Sequence, residues 1–99
     1  MKTSGKKVLY LTLKKEFFDL IKKGEKTSEF REYKSYWINR LMNSDGNFKQ
    51  FDYIHFRNGY QKDARKIMIE FRGINVIKQK VGFLKTEKLF EIELGEVIK

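Results

Sequence analysis

Five segments of the chain either alternate between apolar and polar residues with a period of two or are rich in β-branched and aromatic residues, both typical of β-strands. These segments are residues 8–13, 26–33, 51–58, 66–77 and 89–98. Two other segments place apolar residues three and four positions apart, which predicts short amphipathic helices at residues 14–23 and 35–42. The predicted order of elements is therefore β-α-β-α-β-β-β.

The apolar residues of these segments define the predicted core. The first strand, residues 8–13, is so poor in polar residues that we expect it to be buried. Phe17, Leu20 and Ile21 share one face of the first helix, at spacings of three and four. The predicted buried side of the second helix consists of Trp37, Ile38, Leu41 and Met42.

Glycines mark the places where the predicted elements end or bend. Gly24 follows the first helix as its C-terminal stop. Gly73 interrupts the apolar row of the fourth strand and Gly95 that of the fifth, which predicts a bulge or a sharp bend at each. Five strands with glycines at bends, together with two short helices, predict a small curled sheet or a partly closed barrel.

The segment 26–33 differs from the other strands because neither of its faces is apolar. One face carries Thr27, Glu29, Arg31 and Tyr33. A buried charge must be paired, so this face either lines a wet cleft or is an ordinary solvent-exposed face with a Glu–Arg pair. Lys26 directly precedes Thr27, in the connection between the predicted first helix and this strand.

The charge balance narrows the possible partners. The 99 residues hold 22 Lys and Arg against 13 Asp and Glu, a net charge of +9, which favours RNA or another polyanion. Without Cys and with a single His, disulfides and thiolate zinc sites are excluded, and neither a metal nor a cofactor is expected. We expect a basic, flexible N-terminus at residues 1–7 and one domain at residues 8–99. No apolar stretch is long enough for a membrane span, so we expect a cytoplasmic location.

Two further clusters mix basic and aromatic side chains. Arg57, Asn58 and Tyr60 offer a phosphate-binding fork, an amide for a base edge and a ring for stacking. An Asn-Gly turn at a strand end is, however, the more common explanation of such a tetrapeptide. The second cluster surrounds the second helix, where a lone Trp is also a common core residue. Its members are Tyr33, Tyr36, Trp37 and Arg40.

Residues 24–31, GEKTSEFR, resemble the Gly-x-Lys-Thr-x-Glu-x-Arg signature of ASCH domains, which belong to the PUA-like superfamily. Residues 11–21 resemble the strand and helix that lead into that signature. The pair Tyr36-Trp37 and the later residues 57–60, RNGY, are also similar to sequences of this family. The resemblance implies an α+β fold, a small PUA-like β-barrel of about five strands with two short helices. It also implies a cleft between the first helix and the barrel that binds RNA or a nucleotide-like ligand.

One branch of the same family hydrolyses the acetyl amide of N4-acetylcytidine, using a lysine that activates a threonine nucleophile. Lys26 matches the lysine, whereas Glu29 occupies the position of the nucleophile, and residues 80–88 are too short for the helical insertion that carries an assisting glutamate. A weak ribonuclease with Glu29 as base and Lys26 as electrostatic stabiliser is the other catalytic possibility. Lys26 and Glu29 are therefore the candidate catalytic residues.

The main hypothesis is an RNA- or nucleotide-binding domain with a basic cleft. In it, Lys26 and Arg31 meet phosphate or a carbonyl oxygen, and Glu29 accepts a hydrogen bond from an exocyclic amine. The alternatives are a small hydrolase of the same family and a protein-interaction module with an acidic partner. The candidate ligand-binding residues are Lys26, Thr27, Glu29, Arg31, Tyr33, Trp37, Arg40, Arg57, Asn58 and Tyr60.

Overall fold

The structure is a computed structural model that describes residues 6–80 and 88–98. Its elements confirm the predicted order β-α-β-α-β-β-β. They are β1 (Val8–Leu13), α1 (Lys15–Lys22), β2 (Ser28–Glu32), α2 (Ser35–Leu41), β3 (Tyr53–Asn58), β4 (Lys66–Lys78) and β5 (Lys88–Ile98). Most of the predicted N-terminal segment 1–7 and of the segment 80–88 lies outside the described residues.

The five strands form one sheet in the order β1-β3-β4-β5-β2, curled into a half-barrel. β1 pairs with β3 in parallel, with Leu11 opposite Phe56, and the other neighbours are antiparallel. β1 and β2 are therefore the edge strands. The curl brings these edges together, because the Nη2 of Arg31 on β2 donates to the backbone oxygen of Thr12 on β1 at 3.2 Å.

The core fills the concave side of the sheet. On β1 only Leu9, Leu11 and Leu13 are buried, whereas Tyr10 is exposed. The prediction of a wholly buried first strand was therefore wrong, because an edge strand of a curled sheet covers the core with one face only. On β5, the buried residues are Leu89, Phe90, Ile92 and Leu94.

The two helices cover the core with narrower faces than predicted. α1 buries Phe18 and Ile21, while Leu20 is 39% exposed. Leu20 was thus wrongly assigned to the core, because the α1 face that meets the sheet is centred one position away from it. α2 buries Leu41 fully, and its predicted neighbours on the same side, Trp37, Ile38 and Met42, pack against the core while remaining half-buried.

Glycines permit the strong bending of β4 against β5. The register between these strands shifts on both sides of Phe71, next to Gly73, whose φ of +137° is rarely adopted by residues with a side chain. The predicted bulge at Gly73 is confirmed. At Gly95 a Cβ would lie 2.6 Å from the Nε of Arg72 and 2.7 Å from the Cβ of Glu70, so this glycine allows the two strands' side chains to approach.

Within residues 6–80 and 88–98, no helix has both the length and the apolar character that crossing a membrane requires.

The docking of α2 onto the core gives a stability prediction. Leu41→Ala removes a side chain that is 0% exposed, so we expect the free energy of unfolding to fall by about 2–5 kcal/mol, measured by chemical denaturation. Leu20→Ala makes the same chemical change on α1 at an exposed position and should cost less than about 1 kcal/mol. Equal losses in the two variants would contradict the packing of α2.

Candidate functional site

The centre of the site is a buried carboxylate held by two cations. Glu29 is 7% exposed and is the one buried charged residue among those described. The Nζ of Lys26 lies 3.5 Å from its Oε1, and the Nη2 of Arg31 lies 2.6 Å from its Oε2. Glu29 and Arg31 meet because they are two positions apart on β2 and so project from the same face. The polar face of β2 is thus partly buried and internally neutralised.

Arg31 links this ion pair to the opposite edge of the sheet. Besides Glu29, its Nη2 binds the backbone oxygen of Thr12, and its guanidinium lies 4.8 Å from the centre of the Trp37 ring. Its Nε is buried and makes no hydrogen bond within the described part of the protein. With a side chain only 18% exposed, Arg31 acts mainly as a bridge among β2, β1 and α2.

Arg40 makes a parallel connection from α2. Its Nη2 donates to the backbone oxygen of Tyr10 at 2.7 Å, and its guanidinium lies 5.3 Å from the Trp37 ring centre. Edge strands expose unpaired carbonyl groups, and on β1 two of these groups accept from Arg31 and Arg40. The half-barrel is therefore closed here by side chains instead of a further strand ladder.

A cavity of about 560 Å³ opens where these elements meet, and we call it the aromatic cavity. Among the described residues that line it, three are cationic and none is a carboxylate. All three of its tyrosines are strongly exposed, Tyr10 and Tyr36 at 58% and Tyr60 at 86%. The residues that line it are Tyr10, Thr12, Arg31, Lys34, Tyr36, Trp37, Arg40 and Tyr60.

A second cavity of about 600 Å³ lies at the C-terminal end of α1, and we call it the lysine cavity. Its floor is apolar, and its rim carries four cations and one carboxylate from the described residues. The cations are Lys22, Lys23, Lys26 and Arg72, and the carboxylate belongs to Glu96. Thr27 also lines this cavity and is exposed.

The predicted face of residues 27, 29, 31 and 33 is divided between different environments. Thr27 precedes β2, with its backbone oxygen accepting from the amide of Leu94, so it does not follow the strand's alternation. Tyr33 follows β2 and packs on Phe90, with ring centres 4.9 Å apart. Neither a single wet cleft nor a solvent-exposed face therefore describes all four side chains, because β2 is shorter than the segment 26–33.

The predicted cluster at residues 57–60 has a local structural role. Arg57 donates from Nε to the Gly59 oxygen at 2.8 Å and from Nη2 to the Gln61 oxygen at 2.6 Å. These bonds hold the turn that carries Tyr60. The backbone amide of Asn58 donates to the backbone oxygen of Arg65 at 2.9 Å, which closes the same turn. The structure therefore places Tyr60 at the aromatic cavity and Arg57 behind it.

Four of the predicted ligand-binding residues line the aromatic cavity together, namely Arg31, Trp37, Arg40 and Tyr60. Sequence reasoning did not include Tyr10, Thr12 or Lys34 among the candidates. For the first two a signal exists: Leu9, Leu11 and Leu13 alternate with them, so they point away from the core. Lys34 has no such signal, because it lies between β2 and α2.

Comparisons of the chain with protein-family models, with curated proteins and with solved structures gave no match. In the described part of the chain, no group of three or more His, Asp or Glu side chains is placed to hold a metal ion. The two cavities are therefore the structural basis for proposing a function.

The Glu29 ion pair gives a stability prediction with an internal control. Glu29→Gln leaves Arg31 partly buried without a counter-charge, so we expect the free energy of unfolding to fall by about 3 kcal/mol. Lys26→Gln removes the longer contact and leaves the Glu29–Arg31 pair intact, so it should cost at most about 1 kcal/mol. Denaturant titrations of both variants measure the difference. A loss for Lys26→Gln as large as that for Glu29→Gln would show that Arg31 is not the principal partner.

His55 on β3 gives a pH prediction. Its ring lies 5.2 Å from that of Tyr10, and burial, assisted by the nearby charge of Lys66, lowers the pKa of His55 below 6.5. A lowered His pKa means that the unfolded chain binds the proton more readily, so stability is present above pH 6.5 and is lost as the pH falls below it. The carboxyl pKa values of Asp19 and Glu70 lie below 3.8 and 4.5, so neither group titrates in this window.

The measurement is the free energy of unfolding between pH 7.5 and 5.5 for the natural protein and for His55→Gln. We expect a decline toward pH 5.5 in the natural protein that is smaller in the variant. The same decline in both proteins would assign the pH dependence to other groups.

Proposed function

We propose that this protein binds single-stranded RNA or a nucleotide-like ligand in the aromatic cavity, as an ASCH-type domain of the PUA-like superfamily. The observation that carries the proposal is the lining of that cavity, in which the described residues contribute exposed tyrosine rings, three cations and no carboxylate. Stacking rings within a positive groove are what sequence-tolerant binding of single strands requires. The five-stranded half-barrel with two helices is compatible with the fold that residues 24–31 suggest.

Bases are proposed to stack on Tyr36 and Tyr60. Both rings line the cavity and both are more than half exposed, so they offer a face without any rearrangement of the core. Trp37 is less suited to this role, because it is half-buried and two guanidiniums lie near its ring, at 4.8 and 5.3 Å, whereas Tyr36 is exposed and has one, Arg40 at 5.9 Å. Trp37 instead supports the two guanidiniums. Tyr33, packed on Phe90, is likewise a supporting residue.

Phosphate is proposed to meet Arg40 and Lys34. Arg40 uses one nitrogen for the Tyr10 oxygen, and a guanidinium has five donors, so others remain for a ligand. Lys34 is exposed, with its Nζ 3.4 Å from the Glu32 carboxylate, a surface pair that a phosphate can replace at little cost. Glu29 does not line the cavity, and its role is to hold Arg31 in place rather than to contact a base.

The contacts and positions of the candidate catalytic residues favour binding over hydrolysis. Each oxygen of Glu29 faces a cation, Lys26 at 3.5 Å and Arg31 at 2.6 Å, which suits an ion pair better than a general base. The exposed Thr27 and the paired Lys26 line the lysine cavity, away from the stacking rings.

The test is the affinity for a fluorescein-labelled nine-nucleotide oligouridylate, measured by fluorescence anisotropy over a range of salt. Tyr36→Ala with Tyr60→Ala should weaken binding by about 100-fold, since each stacked base contributes about 1–3 kcal/mol. The matched control, Tyr36→Phe with Tyr60→Phe, keeps both rings and should bind nearly as well as the natural protein. Lys34→Gln should lower the slope of log affinity against log salt by about 0.7.

Undiminished affinity of the double Ala variant would contradict the proposal. If that variant also keeps its affinity for a polyglutamate peptide, while Lys34→Glu loses it, the protein is instead a module for an acidic protein partner.

A further inference from the structure

An ion-pair cluster of Lys26, Glu29 and Arg31 connects the two cavities, and we call it the ion-pair wall. Lys26 lines the lysine cavity, Arg31 lines the aromatic cavity, and Glu29 binds both, at 3.5 and 2.6 Å. The two oxygens of a carboxylate are only about 2 Å apart. The Nζ of Lys26 and the Nη2 of Arg31 are therefore at most about 8 Å apart.

The lysine cavity carries cations that the fold leaves available. Within residues 6–80 and 88–98, neither Lys22 nor Lys23 has a carboxylate within ion-pair distance. Arg72, by contrast, has its Nη2 3.2 Å from the Oε1 of Glu70. Lys22 and Lys23 lie at the C-terminal end of α1, where the helix dipole favours cations. Their charges nevertheless remain open to an anionic ligand at the rim.

The distance between the two cavities indicates how many nucleotides a ligand needs to reach both. Thr27 lines one cavity and Arg31 the other, and the four residue steps between them span at most about 13 Å. A stacked single strand carries one phosphate per 3.4 Å or so. About four nucleotides therefore cover the distance between the two cavities.

Resting on the proposed function, we infer that the ligand is an oligonucleotide strand that occupies both cavities, and not a single nucleotide. Bases stack on Tyr36 and Tyr60, the backbone passes over the partly exposed side chains of Lys26 and Arg31, and the phosphates beyond them lie near Lys22 and Lys23. The wall presents no net negative charge to the backbone, because two cations flank one carboxylate. A mononucleotide fills the aromatic cavity alone and leaves the lysine cavity unused.

The experiment compares uridine monophosphate with oligouridylates of two, four, six and nine nucleotides, by calorimetry and anisotropy. For the natural protein we expect affinity to rise steeply up to a length of four to six nucleotides and then to level off. Lys22→Gln with Lys23→Gln should lower the salt slope for the nine-nucleotide strand by about 1.4 and its affinity about 25-fold at 0.1 M salt. The same variant should bind uridine monophosphate as the natural protein does.

The control variant is Lys66→Gln with Lys78→Gln, which removes the same charge from exposed positions on β4 that line neither cavity. It should leave the salt slope within about 0.3 of the natural value, since it breaks no direct phosphate contact. An equal effect of the two double variants would overturn the inference in favour of general attraction to net charge. Affinity that does not rise beyond one nucleotide would overturn it while leaving the proposed function intact. If the protein binds none of these ligands, the proposed function itself is overturned.

Discussion

The pairing of Glu29 with Arg31 and Lys26 is the interaction on which the site depends. A carboxylate that is 7% exposed is unfavourable in a small domain unless its charge is compensated, and here each oxygen has its own cation. The pair fixes the Arg31 guanidinium, which in turn reaches the Thr12 oxygen at the far edge of the sheet. The ionic contact within β2 thereby determines how the half-barrel closes and where the aromatic cavity opens.

Closure by side chains links the fold directly to its chemistry. In a fully closed barrel, another strand would donate hydrogen bonds to the carbonyls of Tyr10 and Thr12. Here the guanidiniums of Arg40 and Arg31 donate to these carbonyls instead. The gap between the edges stays wide enough for a cavity of about 560 Å³. The same arginines therefore stabilise the open edge and give the cavity its positive charge.

Sequence periodicity predicted the seven elements, because a period of two or of 3.6 is a local property of each segment. The spacing of residues 29 and 31 also predicted a Glu–Arg pair, which is present, but Glu29 is buried, whereas both interpretations of that face placed it in contact with solvent. Periodicity does not report how far a sheet curls, so the contact of Arg31 with Thr12 was not foreseen. Periodicity also does not report where strands end and turns begin. The sequence therefore did not predict that Arg57 holds a turn or that Thr27 lies just before β2. The ASCH resemblance remains a prediction.

Together, the proposed function and the further inference require that one single-stranded ligand contacts the two cavities at once. The most direct measurement is a titration of the ¹⁵N-labelled protein with a six-nucleotide oligouridylate, monitored through the backbone amide signals. We expect the amide signals of residues 34–40, Tyr60 and residues 22–27 to shift together, with one common dissociation constant. Shifts confined to the exposed face of β4, or two sets with unrelated dissociation constants, would contradict this expectation.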